Sequence, residues 1–207
     1  MKNFNAGSDA VMIAELVKKN RSCRRFKEDR QVSIATLKEL VDLGRLSASA
    51  ANRQPLKYIL SADPKTNEKI FPCLAWAAYL KDWPGPNKGE RPAAYIVVLV
   101  DTRISSDFWC DHGIAGQSIL LGATEKGLAG CFIGAINKEK LRDALQIASY
   151  YKIVLVIALG EPAEEVVIES TTDSDGDIKY WRDENGIHHV PKRPLDEIIV
   201  KTYPHPV

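Results

Sequence analysis

The chain has 207 residues, of which 45% are hydrophobic, so it is long enough to bury a sizeable core within one domain. Its 28 basic and 27 acidic residues nearly cancel, which argues against general attraction to nucleic acid or to an anionic membrane. The four cysteines lack the spacing of a zinc site or a disulfide framework, and no apolar run reaches the length of a signal-peptide core or a membrane span. These features predict a soluble, cytoplasmic protein with reduced thiols.

The first half of the chain predicts helices that alternate with strands. Apolar residues between Val11 and Val17 recur at helical spacing, and Ser33 is placed to cap a second helix. A first strand is expected at Tyr58–Leu60 and a third helix at Glu68–Leu80. The nearly continuous apolar run Pro92–Val100 is typical of a buried central strand.

The second half contains the most apolar predicted helix, His112–Lys126, followed by the glycine-rich stretch Gly127–Gly134. Asn137 is placed to cap a short helix, Ile153–Leu159 predicts a second buried strand, and Val166–Glu169 is strand-like. No repeat or long linker divides the chain, so this element order predicts a single α+β domain over residues 1–207.

A β-hairpin is predicted near residues 178–190, close to the carboxyl end of the chain. Two segments of strand character, Ile178–Arg182 and Ile187–Val190, flank the dipeptide Asn185-Gly186, which favours a tight hairpin turn.

The segment that begins at Arg21 has the composition of an anion-binding turn. Arg21 and Arg24 lie three residues apart with Ser22 between them, so that two guanidinium groups and a hydroxyl can surround a phosphate. A solvated basic turn would have the same composition, and the segment alone does not choose between these interpretations.

Two further segments carry groups suited to ligand binding. Ala48 and Ser49 are small enough to let a planar ligand approach the backbone, and Asn52 and Gln54 add paired donors and acceptors, although a polar helix stop would look alike. Near the carboxyl end, the basic pair Lys192-Arg193 is suited to the same phosphate or to solvation at the surface.

Taken together and in their order along the chain, these three segments resemble motifs of the FMN-dependent nitroreductase family. The pattern R-S-x-R-x-F is followed about 25 residues later by S-A-x-N-x-Q-P, and the helix that starts at Asp111 is similar to the long central helix of the family. The resemblance continues through Gly130–Gly134, through Val156–Pro162 and to the pair Lys192-Arg193, so that it covers residues 15–200.

The resemblance implies a mixed sheet between helices, with extended terminal arms at residues 1–10 and 200–207 and the hairpin as an addition. It also implies the role of each candidate residue. Arg21, Ser22 and Arg24 would hold the FMN phosphate with Lys192 or Arg193. Ala48, Ser49 and Asn52 would lie against the isoalloxazine edge with Gln54 nearby, and the backbone of Ile133 and Gly134 would face the flavin N5.

The implied activity is a ping-pong transfer of hydride from NADH or NADPH, through FMN, to a nitro compound, a quinone or a similar small acceptor. The flavin supplies the chemistry, so no side-chain acid or base is nominated. The family forms homodimers with FMN at the subunit interface, and the same is expected here. The alternatives are a non-catalytic FMN-binding or sensing module and a family branch that performs reductive dehalogenation or flavin fragmentation.

Overall fold

The computed structural model of the protein describes residues 13–171 and 177–204, so the predicted arm at residues 1–10 and the last three residues lie outside the described part. The helices are α1 (Ile13–Lys19), α2 (Ile34–Leu46), α3 (Pro64–Ile70), α4 (Asp111–Glu125), α5 (Lys138–Leu145) and α6 (Leu195–Ile198). The strands are β1 (Leu56–Ser61), β2 (Ala94–Asp101), β3 (Ala129–Ile133), β4 (Tyr151–Gly160), β5 (Val166–Ser170), β6 (Trp181–Arg182) and β7 (His188–Lys192).

The main sheet has the strand order β1-β2-β4-β3, and each neighbouring pair runs antiparallel. All eight residues of β2 are buried, as the apolar run predicted for a central strand. Alternate side chains of β2 enter two separate cores. Val98 packs in a cluster with Ile119 of α4 and with α2, whereas Val97 packs in a cluster with Leu141 of α5 and with α3. Helices therefore cover both faces of the sheet, and the predicted α+β architecture is confirmed.

The predicted helix Glu68–Leu80 is wrong. The helix in this region starts earlier, because the side chain of Asp63 accepts a hydrogen bond from the backbone N–H of Thr66 at 2.9 Å and Pro64 occupies the first helical turn. It ends at Ile70, and a single 3-10 turn follows over Phe71–Cys73. Pro72 has no N–H to donate to the preceding turn, which explains why the apolar pattern does not continue as a helix.

Within the glycine-rich stretch Gly127–Gly134, for which the sequence predicted no strand, Ala129–Ile133 forms the edge strand β3. Gly130 has no room for a side chain: a Cβ there would lie 2.5 Å from the carbonyl oxygen of Ala158 and 2.8 Å from a Leu120 methyl group. The outer edge of β3 is covered by the arginine-containing segment, since Ser22 forms a parallel bridge with Gly130. The glycine thus lets β3 approach β4 and α4 closely, and the segment that carries Arg21 and Arg24 lies along the other edge of β3.

Gly130→Ala is expected to lower the free energy of unfolding by about 2 kcal/mol, because the added methyl group would push β3 away from β4. Gly134→Ala is the matched control, since a Cβ at Gly134 has no atom within 4 Å among the described residues. Urea unfolding of both variants checks the prediction, which is contradicted if the two substitutions have equal effects.

The predicted hairpin is present as β6 and β7, which pair antiparallel at Trp181↔His189 and Arg182↔His188. Its turn is closed by the N–H of Gly186, which donates to the carbonyl of Asp183 at 3.1 Å, and Gly186 has the positive φ of 82° that this turn needs. Strand β7 also pairs in parallel with β5, so the hairpin belongs to a second, three-stranded sheet of order β5-β7-β6.

Candidate functional site

The arginine-containing segment is held in an extended conformation between the two sheets. The N–H of Cys23 donates to the carbonyl of Gly130 at 3.1 Å, on the side of the main sheet. On the other side, the carboxylate of Glu164 accepts hydrogen bonds from the backbone N–H groups of both Arg24 and Arg25. The backbone is therefore fixed from two directions, and the side chains of Arg21 and Arg24 start from defined positions.

Glu164 also joins this segment to the hairpin. Its second carboxylate oxygen accepts a hydrogen bond from Arg182 of β6 at 2.7 Å, and the two side chains are only 1% and 12% exposed. The guanidinium group of Arg182 lies 4.8 Å above the ring of Trp83. Two hydrogen-bonded backbone donors and one guanidinium group satisfy the buried carboxylate of Glu164.

A pocket of about 280 Å³ opens beside the arginine-containing segment and is called the cationic pocket here. Three of its lining residues are cations, Arg21, Arg24 and Lys192, and the hydroxyl-bearing Ser22 lies among them. Its remaining lining residues are Asn20, Gln117, Leu120, Gly130, Phe132, Tyr180, His188 and Val190. The described lining contains no carboxylate, so the pocket is electrostatically complementary to an anion such as a phosphate monoester.

Lys192 and Arg193 have different surroundings, although the sequence could not separate them. Lys192 lines the cationic pocket. The guanidinium group of Arg193 is hydrogen-bonded to the carboxylate of Glu197, one helical turn later, and Arg193 is not among the residues of the pocket wall. Of these two residues predicted to bind the phosphate, Lys192 is therefore the one that lies at the cationic pocket.

Arg21 combines a partly buried guanidinium group with an incomplete set of partners. Its Nη2 donates to the carbonyl of Val17 at 2.7 Å, at the end of α1. Its Nε is buried without an acceptor among the described residues, and burial lowers the pKa of the group. A buried donor without a partner is costly, so an anion at this place would stabilise Arg21.

The segment Ala48–Gln54 lines a different cavity of about 480 Å³, called the loop pocket here. Ala48, Ser49 and Gln54 are part of its wall, together with the start of α4. Asn52 is exposed and does not line this cavity, but its side-chain oxygen accepts a hydrogen bond from Gln54 at 3.0 Å.

The loop is held in a strained conformation by a buried carboxylate. Ala51, Asn52 and Gln54 have φ values of 50°, 52° and 51°, in the left-handed region that residues other than glycine rarely adopt. Asp111, which is 2% exposed, accepts hydrogen bonds from the hydroxyl of Ser49 at 2.6 Å and from the N–H of Ala50 at 2.9 Å. Strain of this kind persists where the surrounding contacts fix the backbone, and it is concentrated at functional sites.

Helix α4 separates the two pockets. Asp111 and Ala115 line the loop pocket, whereas Gln117 and Leu120 line the cationic pocket, and none of the described residues lines both. Within one chain, the predicted phosphate ligands and the predicted ring-edge residues therefore lie in separate cavities.

The last two predicted cofactor residues line neither pocket. The side chain of Ile133 is 4% exposed in the core, and Gly134 follows β3 as an exposed residue. Their neighbour Phe132 is 39% exposed and does reach the cationic pocket, so the end of β3 lies next to it.

Gln117, His188 and Asp111 were not singled out as cofactor-site residues by sequence reasoning. Gln117 and His188 line the cationic pocket with Tyr180, and Asp111 anchors the strained loop. Asp111 is a buried carboxylate at the start of the helix that carried the resemblance, so asking which of its polar side chains are buried could have found it, whereas Gln117 is exposed and gave no such signal. His188 gave no such signal, because its burial depends on the pairing of β7 with β5.

The cysteine nearest the predicted flavin residues is not placed for redox chemistry. Cys131 is 1% exposed, and burial raises its pKa to about 12. A thiol that stays protonated at neutral pH is a poor nucleophile, so packing in β3 accounts for this residue.

Two structural features are absent from the described residues. Residues 13–171 and 177–204 contain no group of three His, Cys, Asp or Glu side chains arranged to hold a metal ion. Within the same residues, none of the helices has the length and apolar character needed to cross a bilayer.

Comparison with known proteins gives a consistent family assignment. Residues 17–161 match the model of the "Nitroreductase family". A protein of Archaeoglobus fulgidus described as a "Putative NADH dehydrogenase/NAD(P)H nitroreductase" is 28% identical over 159 residues, which cover 73% of this chain and 86% of the relative.

Solved structures agree with this match. An FMN-dependent nitroreductase of Clostridium difficile is 25% identical, with a TM-score of 0.60 over 84% of this chain and 99% of the other. A nitroreductase family protein of Streptococcus pneumoniae has a TM-score of 0.62 at 19% identity, and the match covers 92% of this chain and all of the other.

Proposed function

Because this chain belongs to the nitroreductase family of oxidoreductases, we propose that it binds FMN with the phosphate in the cationic pocket and uses it to transfer hydride from NADH or NADPH to a small oxidised acceptor. The observation that carries this proposal is the convergence of Arg21, Arg24 and Lys192 on one pocket whose described wall contains no carboxylate. These cations come from positions about 170 residues apart in the chain, so a solvated basic turn would not account for their meeting.

The residues of the pocket fit the terminal phosphate of FMN. Arg21 has a buried Nε that lacks an acceptor within the described residues, and Ser22 and Lys192 contribute a hydroxyl and an ammonium group. A phosphate monoester carries close to two negative charges near neutral pH and offers three acceptor oxygens. Three cations and a hydroxyl therefore match both its charge and its hydrogen-bonding capacity.

The separation of the two pockets supports a homodimer in which each FMN contacts both chains. In this arrangement, one chain supplies the cationic pocket and its partner supplies the loop Ala48–Gln54. The arrangement reconciles the two residue groups with a single cofactor, because α4 lies between them within one chain. The exposed apolar side chains of the carboxyl-terminal segment, such as Val200 at 98% and Tyr203 at 82%, are available to contact a partner chain.

Bound FMN would supply hydride acceptance and donation, and the protein residues would bind and orient it. The cationic pocket would anchor the phosphate, while the strained loop held by Asp111 would present Ser49, Asn52 and Gln54 along the ring edge. No side-chain acid or base is required for hydride transfer itself. The nicotinamide donor and the oxidised acceptor would use the same face of the flavin ring in turn, as a ping-pong reaction requires. The cytoplasmic location remains a prediction from the sequence.

Anaerobic reduction of the flavin tests this function. The purified protein with FMN is expected to be yellow and to lose its absorbance near 450 nm when NADH or NADPH is added, and then to regain it with a quinone or a nitroaromatic compound. Steady-state kinetics with parallel double-reciprocal lines would support the ping-pong order. Failure of both nicotinamides to bleach bound flavin would contradict the enzyme function and favour a non-catalytic FMN module.

Including halogenated aromatics among the acceptors, and analysing the flavin after turnover, separates the remaining family branches. Release of halide would indicate reductive dehalogenation, and a flavin breakdown product would indicate fragmentation. Reoxidation by quinones or nitro compounds, with the flavin intact, is the expected result.

A further inference from the structure

His188 is a buried polar residue with an unusual partner. It is 1% exposed, and its Nε2 lies 3.2 Å from Nη1 of Arg24. A guanidinium group remains protonated and can only donate, so Nε2 of His188 accepts this hydrogen bond and the imidazole proton lies on Nδ1. His188 therefore acts as a neutral acceptor for a cation that lines the phosphate pocket.

The surroundings of His188 keep it in this neutral state. Burial lowers its pKa to about 4, and the nearby positive charges of Arg24 and Arg182 and the ring of His189 act in the same direction. Among the described residues, only Glu164 opposes them, and its carboxylate is already occupied by Arg182 and by the backbone of Arg24. Across the neutral pH range, the acceptor at Nε2 is thus retained.

Tyr180 limits the movement of the same guanidinium group from another side. The Cζ of Arg24 lies 4.9 Å from the centre of the Tyr180 ring, and this ring packs 5.2 Å from the ring of His188. Both aromatic residues belong to the hairpin region, whereas Arg24 lies on the segment beside β3.

The hydrogen bonds of Arg24 leave an anion-binding edge free. Its side-chain bonds within the described residues use Nη1, which donates to the carbonyl of Ser22 at 3.3 Å and faces His188. Nε and Nη2 remain for an anion, and these two atoms form the edge that can donate two parallel hydrogen bonds to phosphate oxygens. Fixing Nη1 therefore sets the direction of that edge.

We propose that His188 is a positioning residue, which orients Arg24 toward the FMN phosphate through the bond from Nη1 to Nε2. The inference rests on the proposed function, because it takes the ligand of the cationic pocket to be the phosphate of FMN. It gives the second sheet a role in cofactor selection: β7 contributes Lys192 as a direct ligand and His188 as the support of Arg24.

Equilibrium binding of FMN and riboflavin tests the proposal, because the two ligands differ only in the phosphate. His188→Phe keeps a planar ring and removes the acceptor. It is expected to weaken FMN binding by about tenfold, the value of one hydrogen bond to a charged group, and to leave riboflavin binding unchanged. His188→Gln restores an acceptor and is expected to recover most of the FMN affinity. His189→Gln is the matched control, since the side chain of this neighbour pairs with Glu169.

A double-mutant cycle with Arg24→Ala separates positioning from a structural effect. In the Arg24→Ala background, His188→Phe is expected to have no further effect on FMN affinity, because the group that it orients is gone. His188→Leu introduces a smaller side chain that also lacks an acceptor, and it provides the same comparison if the phenylalanine variant does not fold. Equal weakening of FMN and riboflavin, or full additivity with Arg24→Ala, would overturn the proposal.

The wild-type protein distinguishes failure of this inference from failure of the proposed function. If it binds FMN no more tightly than riboflavin, the phosphate site itself is refuted, and the role of His188 with it. If it prefers FMN and Arg24→Ala removes that preference while His188→Phe does not, only the positioning role is refuted.

Discussion

Replacement of both Arg21 and Arg24 by alanine is expected to weaken FMN binding by about 10²- to 10⁴-fold. Each charge-assisted hydrogen bond to the phosphate contributes roughly 1.5–3 kcal/mol, and the double variant loses the bonds from two guanidinium groups. Lys192 would remain as the one cation of the described pocket wall. The purified variant should be colourless at micromolar FMN, and titration by fluorescence quenching would measure the loss.

The variant Lys18→Ala/Lys19→Ala controls for the removal of two positive charges from the same region. Lys18 is paired with Glu15 on the exposed surface of α1, and neither lysine lines the cationic pocket. The control should keep its colour and flavin stoichiometry. An Arg21→Ala/Arg24→Ala protein that binds FMN with unchanged affinity would refute the phosphate site, and with it the basis of the proposed function.

The affinities for FMN and riboflavin should also respond differently to salt. Binding of FMN to the wild-type protein depends on charge, so it is expected to weaken as ionic strength rises, whereas riboflavin binding should change little. In the double arginine variant, this difference should be largely lost.

The sequence predicted those parts of the fold that depend on local pattern. The apolar run of β2, the capping residues Ser33 and Asn137, and the turn at Asn185-Gly186 are each encoded within a few residues, and each is found as expected. The helix predicted at Glu68–Leu80 failed for a local reason too, since the Asp63 cap and the effect of Pro72 were not weighed against the apolar spacing.

The sequence could not predict the strand pairing that forms the pockets. Strand β3 was missed because Gly130 is a weak strand former, and its conformation depends on close contact with Ala158 of β4. The choice of Lys192 over Arg193, and the burial of His188, follow from the parallel pairing of β5 with β7. Charge spacing and family resemblance nevertheless pointed to Arg21, Arg24 and Lys192 as phosphate ligands, and these three cations line one pocket.

Loss of the Glu164 carboxylate is expected to destabilise the protein by about 3 kcal/mol. Glu164→Ala would leave Arg182, which is 12% exposed, without its acceptor and would free two backbone donors at Arg24 and Arg25. Breaking a buried ion pair from one side is costly because the remaining charge stays desolvated. For a chain of this length, the change corresponds to a decrease in Tm of roughly 10 °C, which differential scanning calorimetry would measure.

Two comparisons isolate the buried charge as the cause. Glu165→Ala removes a carboxylate from the next residue, whose side chain is exposed, and should change Tm by less than about 2 °C. Glu164→Leu/Arg182→Met replaces both charges with apolar side chains and should be more stable than Glu164→Ala, since no unpaired charge remains. If Glu165→Ala destabilises as much as Glu164→Ala, or if the double variant is the least stable, Glu164 does not hold the arginine-containing segment to the hairpin. In that case, the rigid support inferred for the phosphate ligands would have to come from the contact with β3 alone.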